Sequence, residues 1–481
     1  NQTIMKQFLL IPCAAALLSA CSLIPDYQRP EAPVTSSWPK GPSYGTEAQA
    51  EAADLWADLG WKRYFTDPVM QRLIARALDN NRDLRVAALN IEVARATYRV
   101  SEADLLPEVD AGLSDTTSHT PRRLSSTVPQ RAVTSRRYEA NLGVTAFELD
   151  LFGRVRSLEE QALNQYLATR EAREATRISL IAEVANAYLS LLGDRSLLTL
   201  TEETLQTREE SLSLTERSFE KGIGSQLDVA QARSSVETAR VNRLVYTRRV
   251  DQDKNALAVL LGGALDDDAL AGGGSLDSVR FVEDLPVGLP SKVLLHRPDI
   301  AQAEYDLKAA NANIGAARAA FFPTLSLTAA FGLASPSLDT RFLGSSKAWS
   351  FAPNLSLPIF DGGRNQANLD SAEASRDIAV AQYEKSIQSA FREVADALAD
   401  KGTLTRQMQA QQALVDATQT SLRLSQARYQ RGIDNYLSVL DSQRSLYGAR
   451  QDLVSVQVSR LSNMVTLYKA LGGGASADQL N

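Results

Sequence analysis

The chain has 481 residues and a net charge of −6 at pH 7, and hydrophobic residues make up 44% of it. This apolar content excludes a disordered chain, and the mild acidity disfavours a nucleic-acid-binding protein, which concentrates basic residues on one surface. Two cysteines and two histidines, His119 and His296, are too few for a zinc framework. Aromatic residues make up only 6% of the chain, so we expect no large aromatic core.

The first element along the chain is an apolar stretch that predicts an export signal. Met5 and Lys6 open a short basic region, and the apolar run that follows, residues 8–20, has about two-thirds of the roughly 20 residues that a membrane helix needs. A short apolar run behind a basic start is typical of a signal peptide. We therefore assign residues 1–20 to a signal peptide.

The apolar run ends in Leu-Ser-Ala-Cys, which resembles the lipobox of bacterial lipoproteins. The resemblance implies that Cys21 receives a covalent lipid and becomes the mature N-terminus, and Ser22 after it fits sorting to the outer membrane. The alternative is a buried cysteine in an ordinary signal peptide. Residues 21–60, which are rich in Pro, Ser, Gly and Ala, predict a lipid-anchored, extended N-terminal tether.

Beyond residue 60 the chain repeats itself at a nearly constant spacing. Arg82-Asp83-Leu84 recurs as Pro298-Asp299-Ile300, 216 residues later, and Leu261-Gly262-Gly263 recurs as Leu471-Gly472-Gly473, 210 residues later. A register that holds over so long a segment indicates an internal duplication. We therefore expect a first repeat over residues 61–264, an equatorial connector over 265–290, a second repeat over 291–474 and a C-terminal tail over 475–481.

Each repeat reads as helix, strand, long loop, strand, very long helix, tight turn and helix. The first helices, about Arg82 to Leu106 and about Asp299 to Phe322, each stop at a proline, which cannot continue a helix. The long helix of the first repeat, about Arg154 to Ser218, lacks proline and would be about 98 Å long. Seven-residue spacing along it, as in a coiled-coil seam, links Leu191, Leu198, Leu205, Leu212 and Phe219.

Between the helices lie stretches in which apolar and polar residues alternate, as in a strand with one apolar face. Such alternation is typical of transmembrane β-strands, and a soluble sandwich would show the same pattern. Four strands cannot close a barrel, so a membrane-spanning sheet would require several chains. The apolar members run from Val109 to Leu113, Tyr138 to Val144, Leu325 to Leu333 and Trp349 to Ile359, and outward-facing loops are expected from about His119 to Arg137 and Ala334 to Ala348.

Four motifs of the second repeat stand out: Leu295 to Ile300, Ile314 to Pro323, Tyr429 to Arg444, and Leu467 to Gly474. Together with the lipobox they resemble the TolC-like outer-membrane efflux proteins, in the lipoprotein branch. The resemblance implies a mixed α+β membrane protein, a homotrimer whose 12-stranded outer-membrane β-barrel, four strands per subunit, continues into a long periplasmic α-helical barrel. It also implies an exit duct for small toxic compounds in the outer membrane of a Gram-negative bacterium, with a periplasmic membrane-fusion adaptor protein and an inner-membrane RND-type pump as partners.

The same resemblance implies the residues of a periplasmic gate and of two docking tips. The gate positions are Leu437, Asp441 and Arg444, which share one helical face at i, i+4 and i+7. Without the resemblance, a plain helix-surface pair would be the favoured interpretation of Asp441 and Arg444. Asp228 and Gln231 occupy the equivalent region of the first repeat, where the sequence departs from the second. The tips that would contact the adaptor are Gly222, Ile223, Gly432 and Ile433.

The sequence carries no motif of an enzyme that could supply energy or catalysis. It has no P-loop lysine motif, no GxSxG elbow and no HExxH, so we expect no catalytic or metal-binding residue and no cofactor apart from the lipid on Cys21. We also expect contact with outer-membrane lipid and none with nucleic acid. Two alternatives to drug efflux stay open: an exit duct for type I protein secretion, and a non-conducting structural coiled-coil lipoprotein.

Overall fold

The computed structural model describes residues 22–44, 60–282, 294–295, 297–336 and 346–474. The signal peptide, Cys21, His296 and the C-terminal tail lie outside the described residues. The chain forms two compact units. The first, which we call the strand unit, takes in the described residues within 1–30, 91–168 and 303–383, and the second, the helical unit, takes in the described residues within 31–90, 169–302 and 384–481.

The described residues contain long helices and four strands, in the order that the sequence predicts. Three short 3₁₀ helices, Arg122–Leu124, Asp267–Leu270 and Leu276–Ser278, lie in the connections. The main elements are α1 (Trp61–Tyr64), α2 (Pro68–Asn80), α3 (Arg82–Ala103), β1 (Asp110–Thr120), β2 (Val133–Leu149), α4 (Arg154–Glu220), α5 (Gln226–Leu260), α6 (Pro298–Ala319), β3 (Thr324–Ser335), β4 (Lys347–Ser356), α7 (Arg364–Gln430) and α8 (Tyr436–Ala470).

Equivalent helices of the two repeats have the same length. α4 and α7 each have 67 residues, α5 and α8 each have 35, and α3 and α6 each have 22. The prediction that α3 and α6 end near a proline is confirmed, although both end four residues before Pro107 and Pro323 rather than beside them. Among the described residues, no helix is both long enough and apolar enough to cross a membrane.

The four described strands of the strand unit form one antiparallel sheet in the order β1-β2-β3-β4. The register places Ala111, Leu142, Phe331 and Trp349 side by side in one row across the sheet. Because side chains alternate between the faces of a strand, the apolar residues of all four strands share one face. That face is bare in the single chain, where Trp349 is 77% exposed.

A β-bulge in β2 keeps the apolar residues on one face. Val144 pairs with Ala329, but the next pair is Phe147 with Leu327, so that two residues of β2 oppose the single residue Thr328. Ala146, one of the two, has φ +52°. Without the extra residue, Phe147 would face away from Val144, because they are an odd number of positions apart. The bulge interrupts the alternation of apolar and polar residues after Val144, so the alternation in the sequence predicted β2 only as far as Val144.

The predicted loop from His119 to Arg137 is wrong at both ends. His119 lies inside β1 and pairs with Thr134, with 2.9 Å between His119 Nδ1 and Thr134 Oγ1. Hydroxyl side chains join the same ladder, since Ser118 Oγ and Ser135 Oγ lie 2.8 Å apart. Polar side chains that bond to one another across the strands extend the sheet, so polarity did not mark the strand end. The second loop begins later than predicted as well, since β3 continues to Ser335.

An aromatic cluster in the helical unit contradicts the expectation of no aromatic core. The rings of Tyr64 and Tyr468 stack with their centroids 5.0 Å apart. Phe65 packs edge-on against Tyr468, and Phe281 packs at a tilt against Tyr64. Tyr64 Oη also donates a hydrogen bond to Met464 O at 2.8 Å. The few aromatic residues are therefore concentrated, and they join the start of the first repeat, the connector and the last helix.

Candidate functional site

Two glycine turns end the long helices in the same way. Gly222 has φ +72° and donates its N–H to Phe219 O at 2.9 Å, while Gly432 has φ +69° and donates to Tyr429 O at 2.9 Å. A residue in this left-handed conformation closes a helix by satisfying its last carbonyls, and glycine adopts it without a steric penalty. The sequence-based assignment of Gly222 and Gly432 to tight turns is confirmed.

The turns present apolar side chains to solvent. Ile223 is 82% exposed and Ile433 is 58% exposed in the single chain. A Cβ added at Gly222 or Gly432 would meet nothing within 4 Å, so the glycines serve the backbone conformation and not a close approach. Both predicted tips are thus small, exposed and apolar at their ends.

The helices that follow the two turns begin with different caps. Ser225 accepts a hydrogen bond from Asp228 N at 3.1 Å and its own N–H donates to Asp228 Oδ2 at 3.0 Å, which is a capping box. In the second repeat, Asn435 accepts from Ser438 N at a longer 3.4 Å. Asp228 is therefore part of a helix cap. The spacing Ser-x-x-Asp is the sequence signal that could have shown this.

An ion pair braces only the second of the two turns. Arg428 holds Asp434 with Nε–Oδ2 at 2.6 Å and Nη2–Oδ1 at 2.9 Å, and the hydrogen bond from Arg428 lowers the pKa of the Asp434 carboxyl. The equivalent positions of the first repeat are Ser218 and Gly224, which cannot form such a pair. Sequence reasoning missed this difference between the tips.

The three predicted gate residues lie on one exposed stripe near the start of α8. Leu437 is 45% exposed, and the Asp441 and Arg444 side chains are 66% and 65% exposed. Arg444 Nη1 lies 3.8 Å from Asp441 Oδ1, at the long end of an ion pair. An exposed pair of this kind contributes about 0–1 kcal/mol, so within one chain it is a weak link.

The opposite face of α8 fixes the orientation of this exposed stripe. Tyr436, Val439, Leu440 and Leu446 are buried in a hydrophobic cluster with residues of α5 and α7. Because buried and exposed positions alternate with the helical period, Leu437, Asp441 and Arg444 must face away from this cluster. The cluster also includes Ala232, Val415, Leu422 and Ala449.

The segment that follows the predicted lipid site is fixed to α6 in the strand unit. Asn311 Nδ2 donates to Pro25 O at 2.8 Å, and Arg29 binds the Glu304 carboxylate. A Cβ at Gly315 would lie 2.6 Å from Ile24 Cγ1, so glycine is required for this close approach. Within the described residues 22–30, which form no helix or strand, Ile24, Pro25 and Arg29 contact α6.

The described part of the chain contains no group of three or more His, Cys, Asp or Glu side chains that could hold a metal ion. The residues singled out by the sequence are instead the ends of long helices, a stripe of weakly paired charges and an apolar sheet face.

The chain combines a sheet that has a bare apolar face with two pairs of long helices that reverse at exposed glycine turns. This combination is that of the subunits of outer-membrane channels. The profile of the family described as "Outer membrane efflux protein" matches residues 73–263 and 289–473. The chain belongs to this family, as an RND-type efflux protein of the TolC/OprM kind. The resemblance predicted from the sequence motifs is therefore confirmed.

Individual relatives agree over nearly the full length. The toluene efflux pump outer membrane protein TtgC of Pseudomonas putida is 52% identical over 469 residues, which cover 98% of this chain and 96% of that protein. A crystal structure of a membrane protein from Pseudomonas aeruginosa has a TM-score of 0.86 at 43% identity, covering 94% of this chain and 100% of that one. The open state of the Neisseria gonorrhoeae MtrE outer membrane channel has a TM-score of 0.84 at 38% identity, covering 95% and 99%.

Proposed function

We propose that three copies of this chain form a channel in the outer membrane that serves as the exit duct of a tripartite efflux system for small toxic compounds. Each copy would contribute its four described strands to a 12-stranded barrel, which continues into a helical barrel in the periplasm. The family and its full-length relatives support the outer-membrane location and the efflux role.

One observation carries the proposal: the described sheet is open at both sides and apolar on one face. β1 pairs only with β2, and β4 only with β3, so each outer strand has an unpaired edge within the described residues. In a lipid bilayer every unpaired backbone group costs several kcal/mol, so an open sheet must be closed by further strands. Pairing of β1 in one copy with β4 in the next would satisfy these edges and turn the apolar face outward to lipid.

The decisive measurement is the conductance of the purified, lipidated protein in planar bilayers. A duct should give discrete single-channel currents, whereas the alternative of a structural coiled-coil lipoprotein should give none. Protein that inserts and stays electrically silent under every voltage and salt condition would contradict the proposal. The names of the relatives, which refer to toluene, solvent and antibiotic efflux, favour small compounds over secreted proteins as cargo.

We further propose that Leu437, Asp441 and Arg444 form the periplasmic gate. Threefold symmetry would turn Leu437 into an apolar ring and Asp441 into an anionic ring, and Arg444 would join neighbouring helices. Support comes from their shared exposed stripe and from the weak pairing of Asp441 and Arg444 at 3.8 Å within the chain, which leaves both groups available to other copies. Weak exposed pairs also keep the cost of opening low.

The two turns are our candidates for contact with the periplasmic adaptor. Gly222, Ile223, Gly432 and Ile433 combine exposure, apolar side chains and a fixed backbone, which are the properties of a docking point. The adaptor would link the duct to an inner-membrane RND-type pump, which would supply the energy. We ascribe no catalysis to this chain, and its only covalent group would be the lipid on Cys21.

A further inference from the structure

The hairpin formed by β1 and β2 extends beyond the apolar part of the sheet. β2 has 17 residues, whereas a strand needs about 9–11 residues to cross the hydrocarbon of a bilayer. The apolar side chains on one face of β2 run from Tyr138 to Leu149. The remaining residues of β2, 133–137, pair with residues 116–120 of β1, and apart from Val133 this end of the ladder consists of Thr, Ser, His and Arg. We call residues 116–137 the outer hairpin.

The chain connections show which way the outer hairpin points. α3 leads into β1, and β2 leads into α4, so the helices attach at the opposite end of this strand pair. The proposed function places the long helices in the periplasm. On that proposal, on which the present inference rests, the outer hairpin lies at the external surface of the outer membrane.

The outer hairpin is strongly cationic. It contains five arginines and no Asp or Glu, although the whole chain has a net charge of −6. Arg137 pairs with Glu139, with 3.2 Å between Nε and Oε2, and none of the other four pairs with a carboxylate of the described chain. The five, all exposed, are Arg122, Arg123, Arg131, Arg136 and Arg137.

Arginines at the other end of β2 are compensated within the chain. Arg154 Nη2 lies 2.6 Å from Glu148 Oε2, and Arg156 Nε lies 3.1 Å from Asp150 Oδ2. The excess of positive charge is therefore confined to the outer end of the strand pair. Solubility alone does not require it, because an exposed surface is equally well solvated by charges of both signs.

Two cations lie on the face of the sheet that carries the apolar residues. Arg136 follows the alternation of Tyr138 on that face and lies about 7 Å beyond it along β2. Its Nε donates to Thr117 Oγ1 at 3.2 Å, which fixes the guanidinium and leaves Nη1 and Nη2 free to form a two-point contact with a phosphate. Lys347, two residues before Trp349 in β4, shares the face and is exposed, and its long stem can carry the ammonium group outward to the headgroups.

We propose that this cationic rim binds the phosphate groups of a phosphorylated lipid in the outer leaflet. Arg136 grips one phosphate with two nitrogens, Lys347 supplies a second cation on the same face, and the arginines of the outer hairpin add attraction at longer range. Charge complementarity and continuity with the apolar face favour a lipid over a soluble anion, since a soluble anion does not require cations beside the surface that meets acyl chains. The contact fixes the depth of the sheet in the bilayer.

The test measures binding of diphosphorylated lipid A to the purified mature protein in detergent, by native mass spectrometry over a lipid titration. Arg136→Gln should weaken binding about fivefold, and Arg136→Gln combined with Lys347→Gln about 25-fold, because each cation near a membrane surface contributes a factor of this size. Arg137→Gln is the matched control. It removes the same charge from the adjacent position, which faces the other side of the sheet, and should leave the affinity unchanged.

The chemistry of the lipid supplies a second comparison. Lipid A from which both phosphates have been removed should bind native protein no better than it binds the double variant. Native affinity in folded Arg136→Gln, or an equal loss in Arg137→Gln, would overturn the inference, because neither result depends on the lipid-facing side. Full displacement of lipid A by inorganic phosphate would assign the site to a soluble anion and overturn the lipid assignment.

Single-channel recordings in phosphatidylcholine bilayers, which contain no lipid A, separate this inference from the proposed function. The variants should conduct as the native protein does, since the changed residues are exposed and lie outside the gate. Normal currents together with lipid binding that ignores Arg136 would overturn the inference and leave the duct intact. Silent bilayers together with lipid binding that requires Arg136 would contradict the duct and support the lipid contact.

Discussion

The guanidinium of Arg29 holds both carboxylate oxygens of Glu304, with Nη2 at 2.7 Å from Oε2 and at 2.9 Å from Oε1. Tyr27 Oη donates to Oε1 at 3.3 Å, and Lys308 Nζ lies 3.2 Å from the same oxygen. Burial alone would raise the pKa of Glu304, but the hydrogen bonds from Arg29 and Lys308 lower it below its ordinary value. A charged clamp thus fixes the segment that follows the proposed lipid anchor to α6.

Arg29→Gln should loosen this segment, because Glu304 would keep Lys308 as its charged partner and lose the two-point contact. Since Arg29 is half exposed, we expect a cost of about 1 kcal/mol. Hydrogen exchange of residues 22–30, measured by mass spectrometry, should speed up roughly fivefold. Glu31→Gln, a change at a neighbouring exposed residue, is the matched control. Unchanged exchange in Arg29→Gln would show that Asn311 and Ile24 hold the segment without the clamp.

Trp349→Arg should block assembly in the membrane, whereas Ser350→Arg should be tolerated. The two residues are adjacent in β4, both are exposed in the single chain, and they face opposite sides of the sheet. An arginine on a lipid-facing position of a barrel costs about 2–4 kcal/mol at the midplane and less near the interfaces, while a lumen-facing position does not carry that cost. The yield of folded oligomer in outer-membrane fractions measures the difference. Equal yields would mean that the apolar face does not meet lipid.

Asp441→Ala combined with Arg444→Ala should raise single-channel conductance and antibiotic entry, because it removes the proposed charged ring and its partner. The control is Glu237→Ala with Arg240→Ala, another exposed i,i+3 pair, which lies on α5 with 2.8 Å between Arg240 Nη1 and Glu237 Oε1. That closer pair should leave conductance unchanged. Currents that stay the same in the gate variant, or that rise equally in the control, would refute the gate.

The helices of this protein were predictable because glycine and proline residues mark their ends. Glycines at 222 and 432 close the long helices, and each first helix stops short of a proline, so the boundaries err by only a few residues. The strands were predicted less well. Strand ends depend on pairing, and the partner of His119, Thr134, is polar, so no change in hydropathy marked the end of β1.

The finer parts of the candidate site could not be predicted, because they depend on contacts between distant stretches. Arg29 and Glu304 are 275 residues apart, and no pattern links them. By contrast, the cap formed by Ser225 and Asp228 is local, and its spacing was legible in the sequence.

Ile223→Asp and Ile433→Asp should each weaken binding of the adaptor, because each places a charge on an exposed apolar tip. A side chain at the centre of an interface contributes about 2 kcal/mol or more, so a loss of tenfold or greater in affinity is expected. Leu244→Asp on α5 is the matched control, since Leu244 is also apolar and exposed but lies far from the turns. Affinity is measured in a binding assay with the channel immobilised on a surface and the adaptor in solution. Full affinity in both tip variants would place the contact elsewhere.

Acidic pH should stabilise the helical unit through Asp253. Burial, together with the negative charge of Asp194 and its hydrogen bond, raises the pKa of Asp253 from 3.8 to about 6. Burial raises the pKa of Asp194 as well, and Arg249 Nη1, 3.8 Å from Asp194 Oδ1, opposes that shift. A carboxyl that holds its proton more tightly in the folded state than in the unfolded state stabilises the fold at low pH. This contribution is present below about pH 4 and is lost as the pH rises through about 6.

Asp253→Asn should therefore flatten the pH dependence of the thermal midpoint between about pH 4 and 6, and should raise the midpoint at pH 7, where the native carboxylate is charged and poorly solvated. Asp251→Asn, two residues away on the exposed side of α5, is the control and should keep the native profile. Midpoints measured by circular dichroism across this range give the comparison. A native protein whose midpoint changes between pH 4 and 6 by the same amount as that of Asp253→Asn would show that Asp253 does not titrate there.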